Sequence, residues 1–125
     1  MRLLLDTHVL IWAVADPARL PGPVAEEIAD PATDVLVSTA SAWEIAIKTG
    51  LGRLAFQPVD AALLDRFGFR HHPIGLRHTA ALAALPDHHG DPFDRILVAQ
   101  AVVDDLALVS DDRALGDYDV TIRWA

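Results

Sequence analysis

A chain of 125 residues has the length of one domain, and its 52% hydrophobic content is enough for a packed core, which excludes disorder. The formal net charge of −8, with Lys48 as the single lysine, excludes a broad phosphate-tracking surface and confines any nucleic-acid contact to a few arginines or to metal ions in an acidic pocket. With no cysteine there is neither a disulfide framework nor a thiolate metal site, and a reducing cytoplasm is the simplest home.

Leu3-Leu4-Leu5 is an apolar run of strand length that delivers an acid, Asp6, to its end. Runs without alternation belong to parallel sheets covered on both faces, whose ligands bind outside the carboxyl ends of the strands. The structural alternative is that Asp6 or Thr7 caps the helix Val9 to Val14. Met1-Arg2 and the leucines imitate a signal peptide, but Asp6 and His8 interrupt its apolar region, and no run approaches the ~20 residues of a membrane span. Asp16-Pro17 breaks the first helix, Pro21-Gly22-Pro23 opens a second from Val24 to Ala29, and Val35 to Ser38 is the second strand.

Ser41 to Lys48 is helical and ends at Gly50 and Gly52. Its Glu44 follows a strand end just as Asp6 does, although Ser41-x-x-Glu44 also fits a capping box and Glu44 to Lys48 a favourable i, i+4 pair. A helix from Val59 to Phe67 and an extended piece from Phe69 to Ile74 follow, with Pro73 placing that strand at a sheet edge. Arg77 to Leu85 is helical and Pro86 to Gly90 a loop. The most apolar helix, Phe93 to Val103, leads into strand Ala107 to Ser110, a short helical turn after Arg113 and a last strand, Val120 to Trp124. Strands alternating with helices predict an α/β fold of four or five mainly parallel strands in a single domain, residues 1–125.

Asp91 is explained as the N-cap of the helix after it, with Pro92 at its first position. Asp94 is not, because it shares a stripe with Leu97, Val98 and Ala101, and a buried acid without a partner is costly. Arg95 points about 100° away from it on an α-helix, so a metal is the better partner. One of Asp111 and Asp112 caps the turn at Arg113 and the other faces the strand-end crevice. Acids from four segments thus converge on one sheet edge, where a hard divalent ion would relieve their repulsion and support phosphodiester hydrolysis. The histidines show no metal-binding helix spacing, although His89 and Arg95 flank Asp91 and Asp94 where they can contact phosphate. Trp12 and Trp43 read as core or interface anchors.

Leu4-Leu5-Asp6-Thr7-His8, Trp43-Glu44-Ile45-Ala46-Ile47-Lys48, Asp91-Pro92-Phe93-Asp94-Arg95 with Ala99-Gln100-Ala101, and Leu108-Val109-Ser110-Asp111-Asp112 occur in this order over the whole chain. In this the chain resembles a PIN domain of the VapC toxin type from bacterial toxin–antitoxin pairs. The resemblance implies a three-layer α/β/α sandwich, Mg²⁺- or Mn²⁺-dependent endoribonuclease activity on RNA, a homodimer and inhibition by a cognate antitoxin. It also implies that Asp6, Glu44, Asp94 and Asp112 bind the metal, that Ser110 supports them and that Asp111 is dispensable. His8 departs from the family's common Asn. Two other classes compete. A catalytically silent binding module would lack metal-dependent RNA cleavage. An aspartyl-phosphate signalling or phosphatase domain would need a lysine at a late strand end or a second acid two residues after Asp6, and neither is present.

Overall fold

The computed structural model describes residues 2–125. Five strands, β1 (Arg2–Leu5), β2 (Asp34–Ser38), β3 (Arg70–His72), β4 (Ala107–Ser110) and β5 (Ile122–Trp124), form one sheet in the order β3-β2-β1-β4-β5. Every pairing is parallel. Six helices connect or flank them: α1 (Thr7–Ala15), α2 (Gly22–Ala29), α3 (Thr39–Gly50), α4 (Ala61–Phe67), α5 (Leu76–Ala84) and α6 (Pro92–Asp104). No described helix is long and apolar enough to cross a membrane.

The leucine run at the start shows why the sheet is covered twice. Successive residues of a strand face opposite sides. Leu3 and Leu5 enter a core with Val9 and Leu10 of α1, Val24 and Ile28 of α2 and Leu64 of α4, whereas Leu4 packs with Leu97 and Val98 of α6. All three leucines are buried, so β1 sits at the centre of an α/β/α sandwich. Truncating Leu4 to Ala would cost about 2–5 kcal/mol as buried leucines generally do.

Several boundaries differ from the sequence reading for identifiable reasons. Helix α3 starts at Thr39 with Ser38 as its N-cap, the Ser38 hydroxyl accepting from the Ala40 N–H at 3.0 Å; the proposed Ser41–Glu44 capping box is therefore absent. Helix α4 begins at Ala61, two residues later than expected, because Asp60 caps it through the Leu63 N–H. Strand β3 lies at the sheet edge but shrinks to three residues, ending before Pro73, which has no N–H to offer. A 3₁₀ turn, Pro17–Arg19, occupies what reads in the sequence as a simple break.

Away from the strand ends, α6 finishes in a polar knot. Asp104 accepts from His72 Nε2 at 2.6 Å and His78 Nε2 at 2.7 Å on one oxygen, and pairs with Arg77 at 2.9 Å through the other. His78 is fully buried, and its Nδ1 accepts the Gly75 N–H at 2.8 Å, so its proton sits on Nε2, facing Asp104. Burial pushes the Asp104 carboxyl up, but hydrogen bonds from His78 and His72, with the Arg77 charge, overcome this and hold it below the ordinary 3.8. A depressed carboxylate contributes stability above its unfolded pKa and loses it as pH falls through the folded one. The melting temperature should therefore drop as pH is lowered from about 4, and Asp104→Asn should flatten this acid limb in melting curves followed by circular dichroism.

Candidate metal centre at the carboxyl edge of the sheet

Asp6 is set by the backbone before its side chain is considered. Its N–H continues the ladder to Val109 O at 3.0 Å, and its carbonyl accepts the Leu10 N–H at 3.0 Å, the opening bond of α1. One carboxylate oxygen caps the helix by accepting the Val9 N–H at 2.8 Å. The cap and crevice readings of Asp6 thus hold together, because a carboxylate with several lone pairs can serve both. Burial raises its pKa against the hydrogen bonds of Ser110 and Val9.

Asp6 lines a crevice of about 600 Å³ together with Asp91, Asp94, Asp111, Asp112 and His89. Asp94 rises from the first turn of α6, beside Asp91, whose carboxylate caps the helix through the N–H groups of Phe93 and Asp94. Burial, then the charges of Asp91, Asp6 and Glu44, push Asp94 up to about 7 against the opposing pull of His89. Asp112 caps the 3₁₀ turn Arg113–Asp117 through the Ala114 N–H, and its other oxygen meets His89 Nε2 at 2.8 Å. The buried Ser110 hydroxyl accepts the Asp112 N–H at 3.0 Å, which ties β4 to this acid.

Glu44 stands behind the crevice. It is buried, with Oε1 accepting the Thr7 hydroxyl at 2.6 Å and Oε2 taking Lys48 Nζ at 2.5 Å. It does not line the crevice, yet its charge reaches Asp94. Arg95 stands apart from the place expected for it. Its guanidinium is committed to Pro86 O at 2.9 Å, the Tyr118 hydroxyl at 3.1 Å and Leu82 O, so it anchors the loop before α6 rather than contacting the crevice. Trp43, read as an anchor, is 60% exposed and packs edge-on against Phe93; Trp12 rests partly on the core and lines the crevice mouth.

Two groups bring three ligand-type atoms within 4.8 Å of one another, His89–Asp94–Asp112 and His72–His78–Asp104. Histidines that bind metals generally donate their second ring N–H to a neighbour. Neither His78 nor His89 fits that pattern. Nδ1 of His89 accepts the Asp91 N–H at 3.0 Å, just as that of His78 accepts from Gly75, leaving Nε2 protonated and donating to a carboxylate. The hydrogen bond to Asp112 is the chief cause raising the His89 pKa. His89 therefore orients Asp112, while an all-oxygen set of Asp6, Asp94 and Asp112 suits a hard divalent ion. The cluster around Asp104 was not found in the sequence, since its members lie on β3, α5 and the end of α6 and share no local spacing.

Residues 3–120 match the PIN domain family. Ribonuclease VapC22 of Mycobacterium tuberculosis is 30% identical over 119 residues, which cover 93% of this chain and 91% of that protein. Among solved structures, VapBC2 from Rickettsia felis, bound to a DNA fragment from its promoter, superposes with a TM-score of 0.72 at 14% identity, over 99% of this chain and 98% of that one. FitAcB from Neisseria gonorrhoeae gives 0.65 at 20% identity, over 96% and 95%.

A metal ion entering this crevice must displace the proton that Asp94 retains up to about pH 7. Apparent affinity for Mg²⁺ or Mn²⁺ should tighten by up to about tenfold per pH unit below that value and level off above it. Calorimetric titrations in buffers of different ionisation enthalpy should show proton release on the acidic side only; proton-independent binding would contradict the placement of the ion at Asp94.

Proposed function

The chain belongs to the PIN domain family, and on that footing we propose that it is a metal-dependent endoribonuclease acting as the toxin of a toxin–antitoxin pair. The observation that carries this reading is the crevice at the carboxyl edge of the sheet, where Asp6, Asp94 and Asp112 come together and burial with the neighbouring acids pushes Asp94 up to about 7. Repulsion of this kind is relieved by a cation. Asp6, Asp94 and Asp112 would hold Mg²⁺, or Mn²⁺ in its place, with Glu44 behind them. When bound, the ion supplies charge stabilisation for hydrolysis of a phosphodiester.

The chain's own residues provide the order around that centre. Thr7 and Lys48 fix the two oxygens of Glu44, His89 fixes one oxygen of Asp112, and the Val9 N–H fixes one of Asp6. Three of the four acids are thereby aimed before substrate arrives, which lessens the reorganisation left for the chemical step. Asp6→Asn or Asp94→Asn should reduce cleavage by at least about a hundredfold while preserving the circular dichroism spectrum, since charge is removed without volume. Asp111 is exposed and makes none of the bonds of Asp112, so Asp111→Ala should cost far less activity than Asp112→Ala. The reverse order in initial-rate assays would place the register of this strand end one residue away.

A cytoplasmic cognate antitoxin is proposed as the partner, presenting Arg or Lys to the same acids in competition with metal and packing apolar residues near Trp12. A homodimer is proposed as well, as the family resemblance implies. Antitoxin affinity should fall with ionic strength and with neutralisation at Asp6 or Asp94, measured with the product of an adjacent small open reading frame. Tighter binding by the neutralised variants would rule out charge pairing as the inhibitory contact.

A further inference from the structure

The crevice that gathers five aspartates also contains Arg19, the only permanent cation in its described lining. The backbone puts it there: the Asp16 N–H closes on Trp12 O at 2.9 Å, the Arg19 N–H on Asp16 O at 3.0 Å, and Leu20 is buried immediately after. The 3₁₀ turn Pro17–Arg19 is thus folded back against α1, and the Arg19 guanidinium lies 4.8 Å from the centre of the Trp12 ring. Trp12 is held partly against the core and has the ring of His8 on its margin at 6.1 Å.

Arg19 pairs with none of the carboxylates. Among the described residues its side chain makes neither an ion pair nor a hydrogen bond, although five acids line the same crevice. An arginine serving to neutralise those acids would bond to them. The guanidinium lies over the indole ring and makes no hydrogen bond among the described residues, which leaves its N–H donors uncommitted. Those donors match the bidentate geometry of a phosphate. A chain of net charge −8 repels a polyanion, so a strand reaching this crevice needs a cation beside the acids.

On the reading that the crevice cleaves RNA, we propose that Arg19, held on Trp12, is a substrate-positioning residue that grips a backbone phosphate neighbouring the scissile one. Because the contact is to phosphate, it carries no sequence preference.

The test compares wild type, Arg19→Ala and Arg19→Lys with two fluorescein-labelled single-stranded RNAs of unrelated sequence. Initial rates are read in Mg²⁺, and binding is read by anisotropy in Ca²⁺ across a KCl series. Arg19→Ala should raise KM and Kd about tenfold for both RNAs, leave kcat within about twofold and the cleaved positions unchanged, and lower the salt slope by about 0.7. Arg19→Lys, which keeps the charge without the planar fork, should recover part of the binding. Unchanged KM and salt slope in Arg19→Ala, with a wild type that binds and cuts RNA, would overturn this inference alone. A wild type that neither binds nor cuts RNA would overturn the ribonuclease reading with it. A loss confined to binding of the antitoxin, with RNA kinetics intact, would assign the arginine to the protein partner and overturn the proposal.

Discussion

The structure turns on the junction at Asp6. Its N–H is the last rung between β1 and β4, its carbonyl starts α1, and its carboxylate caps that helix, so one residue has no freedom to move without disturbing both sheet and helix. The central strand behind it is buried on both faces, which makes the strand end a rigid platform. Two further acids are placed relative to this point: Asp112 through β4 and the Ser110 hydroxyl, and Glu44, behind the crevice, through Thr7, the residue after Asp6.

Gathering acids has an electrostatic cost, and the fold distributes it unevenly. Asp91 and Asp94 stand at the N-terminus of α6, where the helix dipole and free N–H groups favour negative charge. Glu44 has Lys48 and Thr7, and Asp112 has His89. Among the described residues no side-chain hydrogen bond reaches the Asp94 carboxylate, which has only His89 Nε2 at 3.5 Å, and it absorbs the remaining repulsion as a raised pKa. The unrelieved repulsion is thus expressed at Asp94, one of the five aspartates that line the crevice.

The far end of α6 obeys the opposite logic. Asp104 lies at a helix C-terminus, where the dipole disfavours an anion, and it is retained by two histidines and Arg77. Those partners come from β3 and α5, so the knot fastens the edge strand and α5 to the helix that carries Asp94 at its other end. The buried His78 has its proton location dictated by the Gly75 N–H, a detail of local backbone geometry that turns it into a donor and unsuits it for metal.

The apolar run Leu3–Leu5, the β-branched strands between helical stretches and the acids after them were legible because they are local: hydrophobic period, strand length and cap chemistry act over a few neighbouring residues. From them follow the parallel α/β sandwich and the nomination of Asp6, Glu44, Asp94 and one of Asp111 and Asp112; the choice of Asp112 came from the resemblance to the PIN family. Where helices begin was less legible, since Ser38 and Ser41 are equally good cap types and the choice between them falls to the end of β2. Tertiary structure alone decided what each polar group faces. It turned Arg95 toward Pro86 and Tyr118, brought His72 and His78 to Asp104 across 32 and 26 residues of chain, and laid Arg19 over Trp12 beside acids it does not bond. The physical reason is range: periodicity reports which side of an element is buried, whereas a charge or hydrogen bond is settled by the partner that packing brings within reach, and that partner is usually distant in sequence.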